Sequence, residues 1–167
     1  MTIKLDLDVE KLRQETPACQ TVTHLNNAGS ALMPQPVLDA IKRHLDLEAR
    51  IGGYEAADEA NEQLEHVYDA GAALLNCHRD EIAVVENATR AWDMAFYAFN
   101  FQPGDRILTS VAEYASNYIA YLQVAKKTGA VVEAVPNDET GQLCVQSLKN
   151  MIDERVKLIS VTHVPTN

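Results

Sequence analysis

The sequence predicts an α/β fold: an N-terminal arm, a helical segment, then the first half of a mostly parallel sheet flanked by helices. Three observations carry that expectation. From residue 79 onward short β-type apolar runs alternate with helical stretches, the rhythm of parallel strands joined by right-handed crossovers. The runs are apolar enough to be covered on both faces, as strands of such sheets are. Turn signals, Pro103-Gly104 foremost, punctuate the alternation.

Residues 1–34 read as the arm, with one short helix and then "TVTHLNNAGSALMPQP", a short extended piece, a polar turn at Asn26-Asn27, small residues and two prolines. Residues 35–78 read as helical. Pro36 suits a first helical turn, and Val37, Leu38, Ile41, Leu45 and Leu47 recur at helical spacing until Gly52-Gly53 breaks the pattern. A second stripe, Leu64, Val67, Tyr68, Ala72 and Leu75, spans an acidic, alanine-rich stretch from Glu55 to Asn76, and "NCHRDE" ends it. Residues 79–167 hold four expected strands: "EIAVVE" (81–86), "RILTS" (106–110), "AVVEAVP" (130–136) and "VKLISVTHV" (156–164). Helices are expected after Thr89, across "NYIAYLQVAKKTG" and across "TGQLCVQSLKNMID". The last strand is followed directly by "PTN", so a central strand lacks its return helix, and the unit is expected to continue beyond Asn167.

Composition narrows the function classes. With 167 residues, 47% apolar and 23% charged, the chain can bury a core, and it is not disordered in composition. A formal net charge of -10 excludes nucleic acid or an anionic membrane surface as a general partner. No apolar run is long enough to cross a bilayer, and the first residues carry no signal-peptide core. Cys19, Cys77 and Cys144 are odd in number and widely spaced. They read as free thiols in a reducing compartment, with the cytoplasm the default.

Ligands of an open parallel sheet sit at the carboxyl ends of its strands. Four segments arrive there: residues 86–90, "SVAEYASN" (110–117), "VPNDETG" (135–141) and "THVPTN" (162–167). The first offers backbone amides and the Thr89 hydroxyl at a helix start, a place suited to an anion. The second offers Tyr114 flanked by Glu113 and Asn117, and the last His163, Thr166 and Asn167. Each also has a purely structural reading: Thr89 and Asn117 as helix caps, Tyr114 as a loop aromatic, His163 as a strand-end histidine. Adjacent Cys77-His78, and Glu62 with His66, supply too few ligands for a metal site. Neither a G-x-S-x-G elbow nor a glycine-rich dinucleotide turn is present.

The order "HLNNAGSALMPQPVLDAI", "ENATRAW", "SVAEYASNYIAYLQ", "ISVTHVPTN" resembles the class V aminotransferases. These are fold-type I pyridoxal-phosphate (PLP) enzymes that include cysteine desulfurases and epimerase-like relatives. The resemblance runs from about His24 to Asn167 and implies the first half of a PLP-transferase-type sheet. It further implies PLP as cofactor, with Ala88 and Thr89 on its phosphate, Tyr114 stacked on its ring and Asn167 (or Thr166) at its phenolic oxygen. Asn27, Ala28, Arg50 and Tyr54 match segments that approach the substrate, a small amino acid, and the family implies a homodimer.

Two departures matter. Asn87 replaces the small residue that usually precedes the phosphate pair, and Tyr114 stands where desulfurases usually carry histidine. A tyrosine still stacks, but a phenol shuttles protons poorly near neutral pH. Transaminase, lyase or epimerase chemistry is thereby left open.

PLP enzymes need a Schiff-base lysine and an acidic partner for the ring nitrogen. None of Lys4, Lys11, Lys42, Lys126, Lys127, Lys149 or Lys157 matches the family's site, so this chain alone is expected to bind PLP weakly and not to turn over. The competing expectations are a non-catalytic truncated or split-gene product that needs a partner chain, and an unrelated α/β phosphate-binding domain.

Overall fold

The computed structural model describes residues 7–164. The chain divides into two compact units, residues 1–84 and 85–167.

The first unit is helical. Helix α1 (Val9–Gln14) is capped by Asp8, whose carboxylate accepts from the Lys11 N–H at 3.0 Å. A 3-10 turn at Pro17–Gln20 follows. Helix α2 (Gln35–Ile51) starts on the two prolines and ends at Gly52, whose φ of 95° is open only to glycine without strain. The expected second helix is two: α3 (Gly53–Glu59) and α4 (Asn61–Leu75), which meet at Ala60. Helix α4 stops at Asn76, in the left-handed conformation. In the following turn, Arg79 reaches back to Glu65 at 2.8 Å and Asp69 at 3.2 Å. The helical stripe predicted on α2 is half covered: Leu38 and Leu47 are partly buried, whereas Val37, Ile41 and Leu45 are exposed.

The second unit is the α/β part. In chain order it holds α5 (Ala88–Phe96), β1 (Arg106–Ser110), α6 (Ala115–Thr128), β2 (Val131–Val135), α7 (Val145–Met151) and β3 (Val156–Ser160). The three strands form one parallel sheet in the order β2-β1-β3. β1 pairs on both sides, Ile107 with Val132 and Leu158, and Ile107, Leu108 and Thr109 are fully buried. Helices α5 and α6 cover one face through Phe96, Phe101, Ile107, Ala120, Tyr121, Val124 and Ala130. The Tyr121 ring stands edge-on to Trp92 and Phe96, 5.9 and 5.3 Å between centroids, and its hydroxyl shares a hydrogen bond with Ser160 Oγ at 2.7 Å. Burial raises its pKa.

The run at 81–86 is not a strand. Residues 83–86 carry no ladder, and Val84 is 58% exposed. Its β-type composition states a preference for a covered, pleated site, but a strand forms only where a neighbour supplies the other half of the ladder. Among the described residues none does. The last strand closes at Ser160, four residues earlier than the apolar run suggested.

At the amino end of the sheet, Arg106 pairs with Glu133 of β2 and with Asp153 at 3.0 Å, and donates to Met151 O at 2.7 Å. Both carboxylates raise the guanidinium pKa, the hydrogen bond to Glu133 most. Arg155 first, then Arg106, lowers the Asp153 carboxyl from 3.8 to about 2. A carboxyl held lower in the folded than in the unfolded chain stabilises above its unfolded pKa and loses that contribution as pH falls. The melting-temperature gap between the wild type and Asp153→Asn should therefore be full at neutral pH and close as pH falls from about 4 toward about 2. Tyr121→Phe should cost about 1–3 kcal/mol in chemical denaturation, because it strands the buried Ser160 hydroxyl.

Candidate functional site

The carboxyl edge of the α/β unit is set by direction. The Gly104 N–H, just before β1, donates to Gly129 O at the end of α6 (3.0 Å). The Tyr97 hydroxyl at the end of α5 donates to Gln123 Oε1 in the second half of α6 (3.0 Å), so both helices run toward the amino end of β1. Their N-termini therefore face the opposite, carboxyl edge. There the four segments diverge in character.

The corner before α5 is open. Asn87 caps the helix: its side-chain oxygen accepts from the Arg90 N–H at 2.9 Å, and its carbonyl accepts from Ala91 N at 3.1 Å. The residue expected only as a departure from pattern thus takes the cap, and Thr89 is released from it. The N–H groups of Ala88 and Thr89 and the Thr89 hydroxyl have no partner among the described residues, and both residues are exposed. Arg90 pairs with Glu86 at 3.8 Å on the exposed side. Two free amides and a hydroxyl at the positive end of a nine-residue helix make a donor set for a small dianion.

Tyr114 is the extended residue immediately before α6, at φ -64° and ψ 130°, and its side chain is half exposed. Asn117, expected as the cap, lies in the first turn instead. It donates to Glu113 Oε1 at 3.1 Å. Glu113 collects four donors. Oε2 accepts from the Thr109 hydroxyl (2.8 Å), and Oε1 accepts from the Tyr114 N–H (2.9 Å), Asn117 and the Thr162 hydroxyl. The end of β1, the start of α6 and the segment after β3 are thus tied to one carboxylate. Sequence reading noted Glu113 only as a flank of Tyr114. The spacing Thr109, Glu113, Asn117 was the available signal, and Thr162 carried none.

The segment at 135–141 is closed on itself. Asp138 Oδ1 accepts from the Thr140 hydroxyl (2.7 Å), the Thr140 N–H (2.9 Å) and the Gln142 N–H (3.2 Å), which lowers its pKa, the Thr140 hydroxyl most. The Asp138, Thr140, Gly141 and Gln142 N–H groups and the Thr140 hydroxyl are all spent within that turn. By contrast the hydroxyls of Ser110 and Ser116, at the end of β1 and the start of α6, are buried without a partner among the described residues. Unspent hydrogen-bonding capacity of that kind is uncommon in folded proteins.

His163 lies in a bend after β3; Thr166 and Asn167 lie outside the described residues. In the first unit, Asn27 and Ala28 belong to a turn in which Asn26 Oδ1 accepts from the Gly29 N–H at 3.1 Å. Arg50 is in the last turn of α2 and Tyr54 in α3, on either side of the Gly52-Gly53 break, with Tyr54 91% exposed. The three cysteines are free, and no three His, Cys, Asp or Glu side chains gather for a metal among the described residues. No helix among them is long and apolar enough to cross a membrane.

Known proteins resemble this chain in sequence and in fold. A probable cysteine desulfurase of Synechocystis is 29% identical over 170 residues, 98% of this chain and 40% of its own. A cysteine desulfurase of Haloferax volcanii is 28% identical over 151 residues, covering 86% of this chain and 35% of its own. The chain thus spans well under half the length of either. Among solved structures, the cysteine desulfurase CsdA of Escherichia coli superposes with a TM-score of 0.77 at 27% identity, over 92% of this chain and 40% of its own. A C-DES mutant with glycine covalently linked to its PLP cofactor gives 0.82 at 21% identity, over 93% and 41%. The family model Aminotransferase class-V matches residues 23–167, nearly the whole chain, and the chain belongs to that family.

Proposed function

We propose that this chain is the phosphate- and ring-binding part of a PLP-dependent enzyme acting on a small amino acid, of the aminotransferase, desulfurase, lyase or epimerase type. The observation that carries the reading is the open corner before α5. Because Asn87 satisfies the cap, the Ala88 and Thr89 amides and the Thr89 hydroxyl are left for a ligand. That donor set fits a phosphate dianion, three donors meeting the oxygens of one tetrahedral group. In this reading residues 79–167 are the first part of the cofactor-binding large domain. Residues 35–78 are a helical segment, and 1–34 an arm with the substrate-side loop.

The remaining roles follow from chemistry. The half-exposed Tyr114 ring would cover one face of the pyridine, and Asn167 would donate to the phenolic oxygen. Asn27, Ala28, Arg50 and Tyr54 would face the substrate, Arg50 taking its carboxylate. When bound, the cofactor supplies the electron sink that bond-breaking at an amino-acid α-carbon needs. Tyr114 would serve as a plate over the ring, which favours chemistry that asks the residue there only to stack.

We assign the Schiff-base lysine to a segment this chain does not contain. Lys126 and Lys127 lie in the last turn of α6, Lys149 in the last turn of α7, and Lys157 near the start of β3, all toward the amino end of the sheet. The chain's short span of its relatives supports the same assignment. The working enzyme would be a cytoplasmic homodimer, the free thiols fitting a reducing compartment. A second reading, a half that pairs with another chain, is favoured by the outer strands: Val131 and Ile159 are exposed on β2 and β3.

The test is a titration of the gene's natural product with PLP and, separately, with inorganic phosphate. PLP should bind far more tightly than phosphate. Thr89→Val should weaken PLP binding roughly ten- to hundredfold, the worth of one hydrogen bond to a charged group. Equal affinity for the two ligands would instead identify a general phosphate-binding domain. The 167-residue chain alone should show no turnover.

A further inference from the structure

We propose that Glu113 is a positioning residue that fixes the stacking ring of Tyr114 against the segment following β3. The proposal rests on the reading of Tyr114 as the plate over the cofactor ring. The geometry is unusual for a carboxylate at a strand end. Glu113 is half-buried, and both its oxygens are occupied: Oε2 by the hydroxyl of fully buried Thr109, Oε1 by the Tyr114 N–H, the Asn117 amide and the Thr162 hydroxyl. The Tyr114 N–H also points at Thr162 Oγ1, 3.3 Å away, which closes the triangle among Glu113, Tyr114 and Thr162.

Three of the four donors crowd Oε1 and one bonds Oε2, so the Glu113 carboxylate is held from the strand, the helix start and the segment after β3 together. This carboxylate, two residues before the start of fourteen-residue α6, also lies at the favourable end of that helix. What it controls is position. Through Thr109 it is anchored to the central strand. Through the Tyr114 N–H it sets the backbone from which the ring projects, and through Thr162 it sets where the chain leaves β3.

The donors also predict which substitution is tolerated. Three of them converge on Oε1, and only the Thr109 hydroxyl bonds Oε2. A glutamine can keep its oxygen in the Oε1 place. Its NH2 then replaces Oε2 and donates to the Thr109 hydroxyl, which can turn and accept. An alanine removes the acceptor that all four donors share and leaves the Tyr114 N–H only its longer contact to Thr162 Oγ1.

The experiment uses the gene's natural product as wild type, Glu113→Ala, Glu113→Gln and Thr162→Val. Three properties are read: amide hydrogen exchange at Tyr114 without cofactor, the affinity for added PLP, and the visible circular dichroism it induces. Glu113→Ala should speed Tyr114 exchange roughly tenfold or more, raise the PLP dissociation constant by about tenfold and diminish the dichroism. Glu113→Gln should restore most of each, and Thr162→Val should move all three in the alanine direction by less. Should the alanine variant not fold, the Thr162→Val result decides in its place. Wild-type dichroism and affinity in a folded Glu113→Ala protein would overturn the proposal while leaving the cofactor reading intact. A wild type that gives no induced dichroism with PLP would sink the cofactor reading, and the proposal with it.

Discussion

Everything in the α/β unit hangs on β1 being paired on both sides. A central parallel strand has no free backbone edge and no solvent face, so its side chains must be settled one by one. Ile107 and Leu108 are simply buried. The two polar residues that flank them are each matched: Arg106 by two carboxylates and a carbonyl at the amino end, Thr109 by Glu113 at the carboxyl end. The two ends then differ in kind. The amino end is a closed ionic cluster in which the described partners satisfy one another, while the carboxyl end carries unspent donors at Ala88, Thr89, Ser110 and Ser116. The edge that is electrostatically complete holds the fold, and the edge that is incomplete is the one a ligand would finish.

Much of this was legible in the sequence. The alternation of apolar runs with helical stripes located all three strands, because each run coincides with a place where backbone ladder and burial agree. Gly52 and Pro36 marked helix boundaries through backbone geometry alone, which needs no knowledge of neighbours. The run at 81–86 misled because its composition reports a wish for burial and is silent on whether a ladder partner exists. Ala60 split one expected helix into two with no glycine or proline to announce it.

The site was legible in its parts and not in its wiring. Asn87, Thr89, Tyr114 and Asn117 are all capable of capping a helix or framing a ligand, and local sequence cannot rank them. The structure ranks them by the φ of one residue and the direction of one side chain: Asn87 caps α5, and Tyr114, with no side-chain cap, stands immediately before α6. Glu113 and Thr162 are 49 positions apart, and nothing short of the folded sheet brings them together.

The two loops at the carboxyl edge differ in how they are anchored, and evolution should treat their lengths differently. The loop at 137–142 ties its own ends together through Asp138. An extra residue at its tip would leave strand and helix where they are. The loop between β1 and α6 is measured out by a carboxylate bonded to both of its sides and to a third segment. Adding or deleting one residue between Ser110 and Glu113 would carry that carboxylate away from Thr109 and Thr162 at once, while Tyr114 and Asn117 moved with it. Length variation among family members should therefore accumulate in the first loop and be nearly absent from the second.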